Sequence, residues 1–200
     1  MWKVLREILK FTHDNVNTYL ILDQNRGCLI DAAVPVDVVI NELDKLEGKL
    51  ELRYILLTHG HLNHVRYLPE IKSRLGGEVY IHPSDLPLLI ELSNNLQTNP
   101  LKNLDRLNLP SLQLVVFHTP GHTEGSTCFY VKELNALFTG DTLLRGGFGE
   151  IKGPHSMGRM LRSLKMISRT LPPETIVYPG HGSETKLKNE AWLDGLDMLS

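Results

Sequence analysis

Six side chains in this sequence combine metal-binding chemistry with positions that could let them meet: His59, His61, His64, His122, Asp141 and His181. They lie beside glycine or close to it, in Thr58-His59-Gly60-His61, Pro120-Gly121-His122, Thr139-Gly140-Asp141 and Pro179-Gly180-His181-Gly182. Imidazole and carboxylate together suit zinc, iron or manganese. The lack of thiolate in the set argues against a closed structural zinc site and for a catalytic one.

Residues this far apart in sequence meet only if the chain delivers them to one edge of a sheet, and the apolar pattern predicts that delivery. Asn17 to Leu22 and Cys28 to Ile30 read as strands joined by a hairpin-like turn at Asp23 to Gly27. Apolar residues at Val36, Val39, Ile40, Leu43 and Leu46 have helical spacing that ends at Gly48. Tyr54 to Leu57 reads as a strand buried on both faces, stopping at the first histidines. A helix is expected over Val65 to Leu75, a strand at Val79 to Ile81 and helical structure over Pro83 to Leu92 with Ser84 as its cap. Ser93 to Pro110, rich in Asn and Pro, reads as a long surface loop. Strands follow at Leu112 to His118, Thr127 to Val131, Ala136 to Phe138 and Ile176 to Tyr178. Helices are expected near Met157 to Thr170 and Lys186 to Leu199. Every one of the six candidate ligands then falls just after the C-terminal end of a strand. The several strand-to-strand steps disfavour a purely alternating sheet and favour two sheets covered by outer helices.

At these blocks the sequence resembles the metallo-β-lactamase superfamily. The family motif His-x-His-x-Asp-His is matched by His59-Gly60-His61-Leu62-Asn63-His64, and the later family blocks at His122, Asp141 and His181 follow in order. A lone His-x-His is weak evidence; four ordered blocks are not. The resemblance spans nearly the whole chain, residues 1–200, and implies one α/β (α+β) domain, a four-layer αββα sandwich. It also implies that one metal takes His59, His61 and His122, that a second takes position 63 with His64 and His181, and that Asp141 bridges them. Carboxylate at Asp141 and the run Gly140-Asp141-Thr142-Leu143-Leu144 are similar to the glyoxalase II and sulfur dioxygenase branches. The implied chemistry is attack of a metal-bound hydroxide on a small carbonyl substrate, most simply a thioester, with Zn2+ (one or two ions), Fe2+ or Mn2+ as cofactor. Glyoxalase II uses a C-terminal helical extension for part of its glutathione site. This sequence ends soon after His181, so glutathione is not implied as the thiol.

Asn63 departs from the motif. Its amide oxygen coordinates weakly, brings no charge and cannot serve as a general acid or base near neutral pH. Three explanations compete: an enzyme with one metal or an unequally filled pair, an engineered substitution, or a degenerate binding module that keeps the fold. In the one-metal form, His59, His122 and Asp141 make a two-histidine, one-carboxylate set, so persulfide oxidation by a mononuclear iron dioxygenase is the rival activity.

The remaining candidates carry weaker signals. Asp31 and Thr58 are expected to orient ligands, with a turn-forming aspartate and backbone satisfaction as the plain alternatives. Arg145 and His155 follow Asp141 and could face substrate; Lys152 and Arg159 could anchor an anion. His13, His82 and His118 match no block and are expected to be surface or hydrogen-bonded residues. Cys28 and Cys128 sit in apolar runs and read as buried thiols. A net charge of −2 with no basic cluster gives no footprint for nucleic acid or anionic lipid. No apolar run is long enough for a membrane helix. Met1 to Ile8 interleaves charge with apolar residues as an amphipathic strand would, not as a secretory leader does, so the cytoplasm is the expected location. The expected partner is a small-molecule substrate.

Overall fold

The computed structural model describes residues 6–45, 50–89, 92 and 96–199. The expected helix end at Leu46 to Gly48, the start of the long loop at Ser93 and the first five residues lie outside them. Among the described residues two six-stranded sheets form. The first runs in spatial order through β1 (Arg6–His13), β2 (Val16–Asp23), β3 (Arg26–Ile30), β4 (Glu51–Leu56), β5 (Glu78–Ile81) and β6 (Asn99–Pro100). The second runs, edge to edge, through β7 (Arg106–Asn108), β8 (Gln113–His118), β9 (Thr127–Val131), β10 (Ala136–Gly140), β11 (Ile176–Pro179) and β12 (Thr185–Lys186).

Alternation along the strands sends one set of apolar residues inward and the other outward. Tyr19, Ile21, Cys28, Ile30 and Leu56 of the first sheet meet Leu114, Val116, Phe129 and Phe138 of the second between the sheets. The outer face of the first sheet, with Leu20, Leu29, Ile55 and Val79, is covered by α1 (Val36–Leu43) and, after the short α2 (Leu62–Val65), by α3 (Leu68–Leu75). The outer face of the second, with Phe117, Cys128, Leu137 and Val177, is covered by α4 (Pro154–Thr170) and the 3-10 helix Ala191–Leu199. The result is the four-layer αββα arrangement. Among the described residues no helix is long and apolar enough to cross a membrane.

Four local expectations differ from the structure. The helix expected over Val65 to Leu75 is two pieces, α2 and α3, broken at Arg66-Tyr67. Pro69 is the cause: it has no N–H to give the Val65 carbonyl, and its ring would strike that carbonyl in a continuous helix. Tyr67 N–H turns instead to Ala32 O at 3.0 Å, tying the break to β3's exit. The segment after Pro83 is a 3-10 helix, Pro83–Leu89, with Pro87 inside it, and Ser84 lies within that helix and does not cap it. The surface loop expected up to Pro110 contains edge strands β6 and β7 and a fully buried Leu101. Short edge strands carry too few alternating residues to show in sequence. The closing helix expected from Lys186 is β12 followed by two 3-10 turns.

Candidate metal centre

β4, β8, β10 and β11 end at one side of the sandwich, and the loops leaving them carry all six candidate ligands to a common space. His61 Nδ1 lies 2.9 Å from His122 Nε2, and His64 Nε2 lies 3.3 Å from His181 Nε2. Asp141 stands between the two pairs. Its Oδ1 is 3.5 Å from His64 Nε2, and its Oδ2 is 3.4 Å from both His122 Nε2 and His181 Nε2. His59 joins each side: donor atoms of His59, His61 and His122, and of His59, His64 and Asp141, lie within 4.8 Å of one another.

The opposite nitrogen of four rings is occupied, which fixes which nitrogen faces the cluster. Thr58 Oγ1 donates to Asp31 Oδ2 and so accepts from His59 Nδ1 at 3.0 Å. Asp31 Oδ2 accepts from His64 Nδ1 at 2.9 Å, and Asp31 Oδ1 accepts from Thr58 N–H at 2.8 Å. Glu150 O accepts from His122 Nδ1, and Asn15 O accepts from His181 Nδ1. Asp31 reaches these partners from a left-handed backbone conformation, φ 61°, which Asp tolerates better than most residues.

Burial and mutual repulsion set the protonation states. Burial, reinforced by the neighbouring rings, holds His59 well below the usual histidine range. Burial, the charge of His122 and the nearby Lys152 lower His61. The hydrogen bond to Asp141 raises His181. Burial opposes ionisation of Asp141, but the His181 hydrogen bond and the surrounding imidazoles outweigh it and hold the carboxyl below its usual range.

The cluster fits a divalent cation. His59 Nε2 and Asp141 Oδ1 are buried without a hydrogen-bond partner, which for polar atoms in a protein interior calls for a ligand. Contacts of 2.9–3.5 Å between donors match ligands each about 2.0–2.1 Å from a shared ion. The backbone leaves the room: a Cβ on Gly180 would sit 2.5 Å from Asp141 Oδ1 and 2.7 Å from His64 Cε1.

Asn63 is exposed on α2, one residue before the buried His64. Arg145 and His155 are also exposed, and each faces a partner outside the cluster. His155 Nε2 accepts from Arg159 Nε at 3.1 Å, and the Arg145 charge acts on Glu190. His13 bonds Tyr67, while His82 and His118 stack at 3.9 Å.

Two supporting residues carry no role in the sequence reading. Asp85 is buried in the 3-10 helix after β5 and accepts from Gly60 N–H, Gly125 N–H and Thr123 Oγ1, joining the His59–His61 loop to the His122 loop. Asn17 Nδ2 donates to the carbonyls of Pro179 and Gly182, clamping the His181 loop. Asp85 sits in a Pro-Ser-Asp turn that reads as an ordinary cap. Asn17 stands two residues before Tyr19, whose hydroxyl shares the Pro179 carbonyl, but its residue type alone gives no such signal.

Comparison with known proteins finds relatives over most of the chain. The family model of the metallo-beta-lactamase superfamily matches residues 11–181. A hydroxyacylglutathione hydrolase of Pelagibacter ubique is 34% identical over 178 residues, covering 88% of this chain and 70% of the relative. The hydroxyacylglutathione hydrolase GloC of Haemophilus influenzae is 30% identical, with 92% of this chain and 93% of the relative covered. A crystal structure of TTHA1623 in a di-iron-bound form superposes with a TM-score of 0.78 at 30% identity, over 92% of this chain and 96% of the other.

Proposed function

The chain belongs to the metallo-β-lactamase superfamily, and from that premise we propose that it is a metal-dependent hydrolase of a thioester of the hydroxyacyl-thiol type. His59, His61 and His122 would hold one ion and His64 and His181 a second, with Asp141 between them. The donor set suits zinc, iron(II) or manganese(II). When bound, such an ion supplies a water that ionises near neutral pH and polarises the substrate carbonyl.

The observation that carries the thioester is Asn63. Collapse of a tetrahedral intermediate expels an amine only if something protonates it. A thiol, with a pKa of about 8.5 in its simple form, can leave as thiolate without a proton. Asn63 cannot donate one, and Asp141, held below the carboxylate range, stays ionised at neutral pH. The residues present therefore favour substrates whose leaving group needs no acid. The relatives named as hydroxyacylglutathione hydrolases support the same class.

The test compares hydrolysis of lactoyl thioesters of glutathione and of N-acetylcysteamine with that of an amide carrying the same acyl group, in metal-loaded wild type and Asn63→Asp. Wild type should cleave at least one thioester and leave the amide nearly untouched, and the variant should gain mainly on the amide. Equal cleavage of thioester and amide by wild type, or none of any of them, overturns the reading.

A second reading has one observation behind it. The sequence points to His59, His122 and Asp141; the structure groups Asp141 instead with the buried His59 and His64, and two imidazoles with one carboxylate is the arrangement of iron oxygenases. Oxygen uptake with a persulfide by anaerobically iron-loaded protein would favour it; no uptake would remove it.

A further inference from the structure

A cavity of about 710 Å3 opens beside the loop that carries His122, lined by Pro120 and Glu124 of that loop but by none of the six candidate ligands. Its size is within the range of small-molecule sites, about 300–1,000 Å3. The lining mixes apolar Leu104, Phe117, Pro120 and Met166 with polar Asn103 and Arg162.

One feature there is unusual for an idle surface. Leu104 holds φ 67° and is 60% exposed, although a bulky residue rarely adopts left-handed backbone and an exposed leucine gains nothing from packing. Its N–H is fixed to Val116 O at 2.7 Å, so the strain keeps the side chain at the cavity. Arg162 is exposed at the cavity and has no hydrogen-bond or ion-pair partner among the described residues. The neighbouring Arg159 is already satisfied, by the Glu124 carboxylate and by His155. The acidic group at the rim is thus neutralised and one guanidinium is left over. Asn103 spends its carbonyl on His118 N–H at 3.0 Å, leaving its amide N–H groups to donate.

We propose that this cavity binds an amphipathic monocarboxylate: the carboxylate on Arg162 and the Asn103 amide, the apolar body against Leu104, Phe117 and Met166. A planar guanidinium pairs a carboxylate by two parallel hydrogen bonds, and the apolar wall excludes small hydrophilic anions as good ligands. The site is separate from the metal centre and does not depend on the hydrolase reading.

Sodium decanoate is the probe, titrated calorimetrically into metal-loaded protein, with amide chemical-shift mapping to locate it. Shifts should cluster at Leu104, Phe117 and Met166. Arg162→Gln should weaken binding by about tenfold, the value of one charged hydrogen-bond pair at a partly exposed site. Leu104→Gly, which relieves the backbone, should weaken it while raising thermal stability. Acetate should bind far more weakly than decanoate. No binding at millimolar decanoate, shifts confined to residues 59–64 and 181, or unchanged affinity in both variants would overturn the proposal.

Discussion

Asp31 holds His64 by its Nδ1 at 2.9 Å, and this single hydrogen bond turns the opposite ring nitrogen toward Asp141. The same carboxylate takes the Thr58 hydroxyl, which in turn takes His59 Nδ1. One buried aspartate thereby sets the orientation of two rings that face different sides of the cluster.

Asp31→Asn keeps the shape and the tolerance for left-handed backbone but presents only one acceptor oxygen. Replacements of this kind behind metal ligands cost about 10–100-fold in metal affinity. Zinc affinity measured by competition with a chelator should fall by that order, with circular dichroism unchanged.

Asp85 ties the His59–His61 loop to the His122 loop through three hydrogen bonds at 2.7–2.9 Å. Asp85→Ala strands two buried backbone N–H groups, and the loss should be about 3 kcal/mol of stability. Urea unfolding of metal-loaded protein reads it directly. A change within error would mean that the loops are held by the metal alone.

The metal-free protein should lose stability in mild acid. His59 is lowered by burial, so below its ordinary value of 6.5 the unfolded chain takes up a proton that the folded chain refuses. His61 acts in the same direction. His181, raised by Asp141, acts oppositely: it stabilises the fold below its unfolded pKa, and this is lost as pH rises through its folded value. Asp141, lowered, keeps its contribution until pH falls through its own folded value. Two lowered histidines stand against one raised, so melting temperature in chelator should fall between about pH 7 and pH 5. Saturating metal should flatten that dependence near neutrality, because bound ligands stay unprotonated.

On the proposed two-ion arrangement, Asn63 would leave the two halves of the cluster unequal. Among the described residues Asp141 is the one carboxylate between the two groups of histidines, and Asn63 brings no charge for a second cation. Native mass spectrometry during metal titration should show the first ion binding well before the second. Asn63→Asp should strengthen the second by on the order of 100-fold or more, since an anionic ligand is worth at least as much as the residues that orient one.

Much of the site was legible because chemistry-bearing residues stood at strand ends. His59, His122, Asp141 and His181 each follow an apolar run that forms β4, β8, β10 or β11, and such runs show clearly in sequence. The acceptors behind the rings were not legible. Glu150 and Asn15 act through backbone carbonyls, which every residue has, and Asp85 looks like any cap. Local proline effects misled the helix reading: Pro69 splits α2 from α3 although the apolar spacing runs on through both. Edge strands β6 and β7 were lost in polar sequence because two or three residues cannot show a period.

The measurement that bears most directly on a metal-dependent thioester hydrolase is the rate of S-lactoylglutathione hydrolysis against equivalents of zinc or iron(II) added to chelated, desalted protein. The account predicts no hydrolysis without metal and a rate that climbs with the bound ion. It also predicts that Asp141→Ala abolishes the climb while keeping the fold. A rate indifferent to metal, or fully loaded protein that cleaves no thioester, would contradict it.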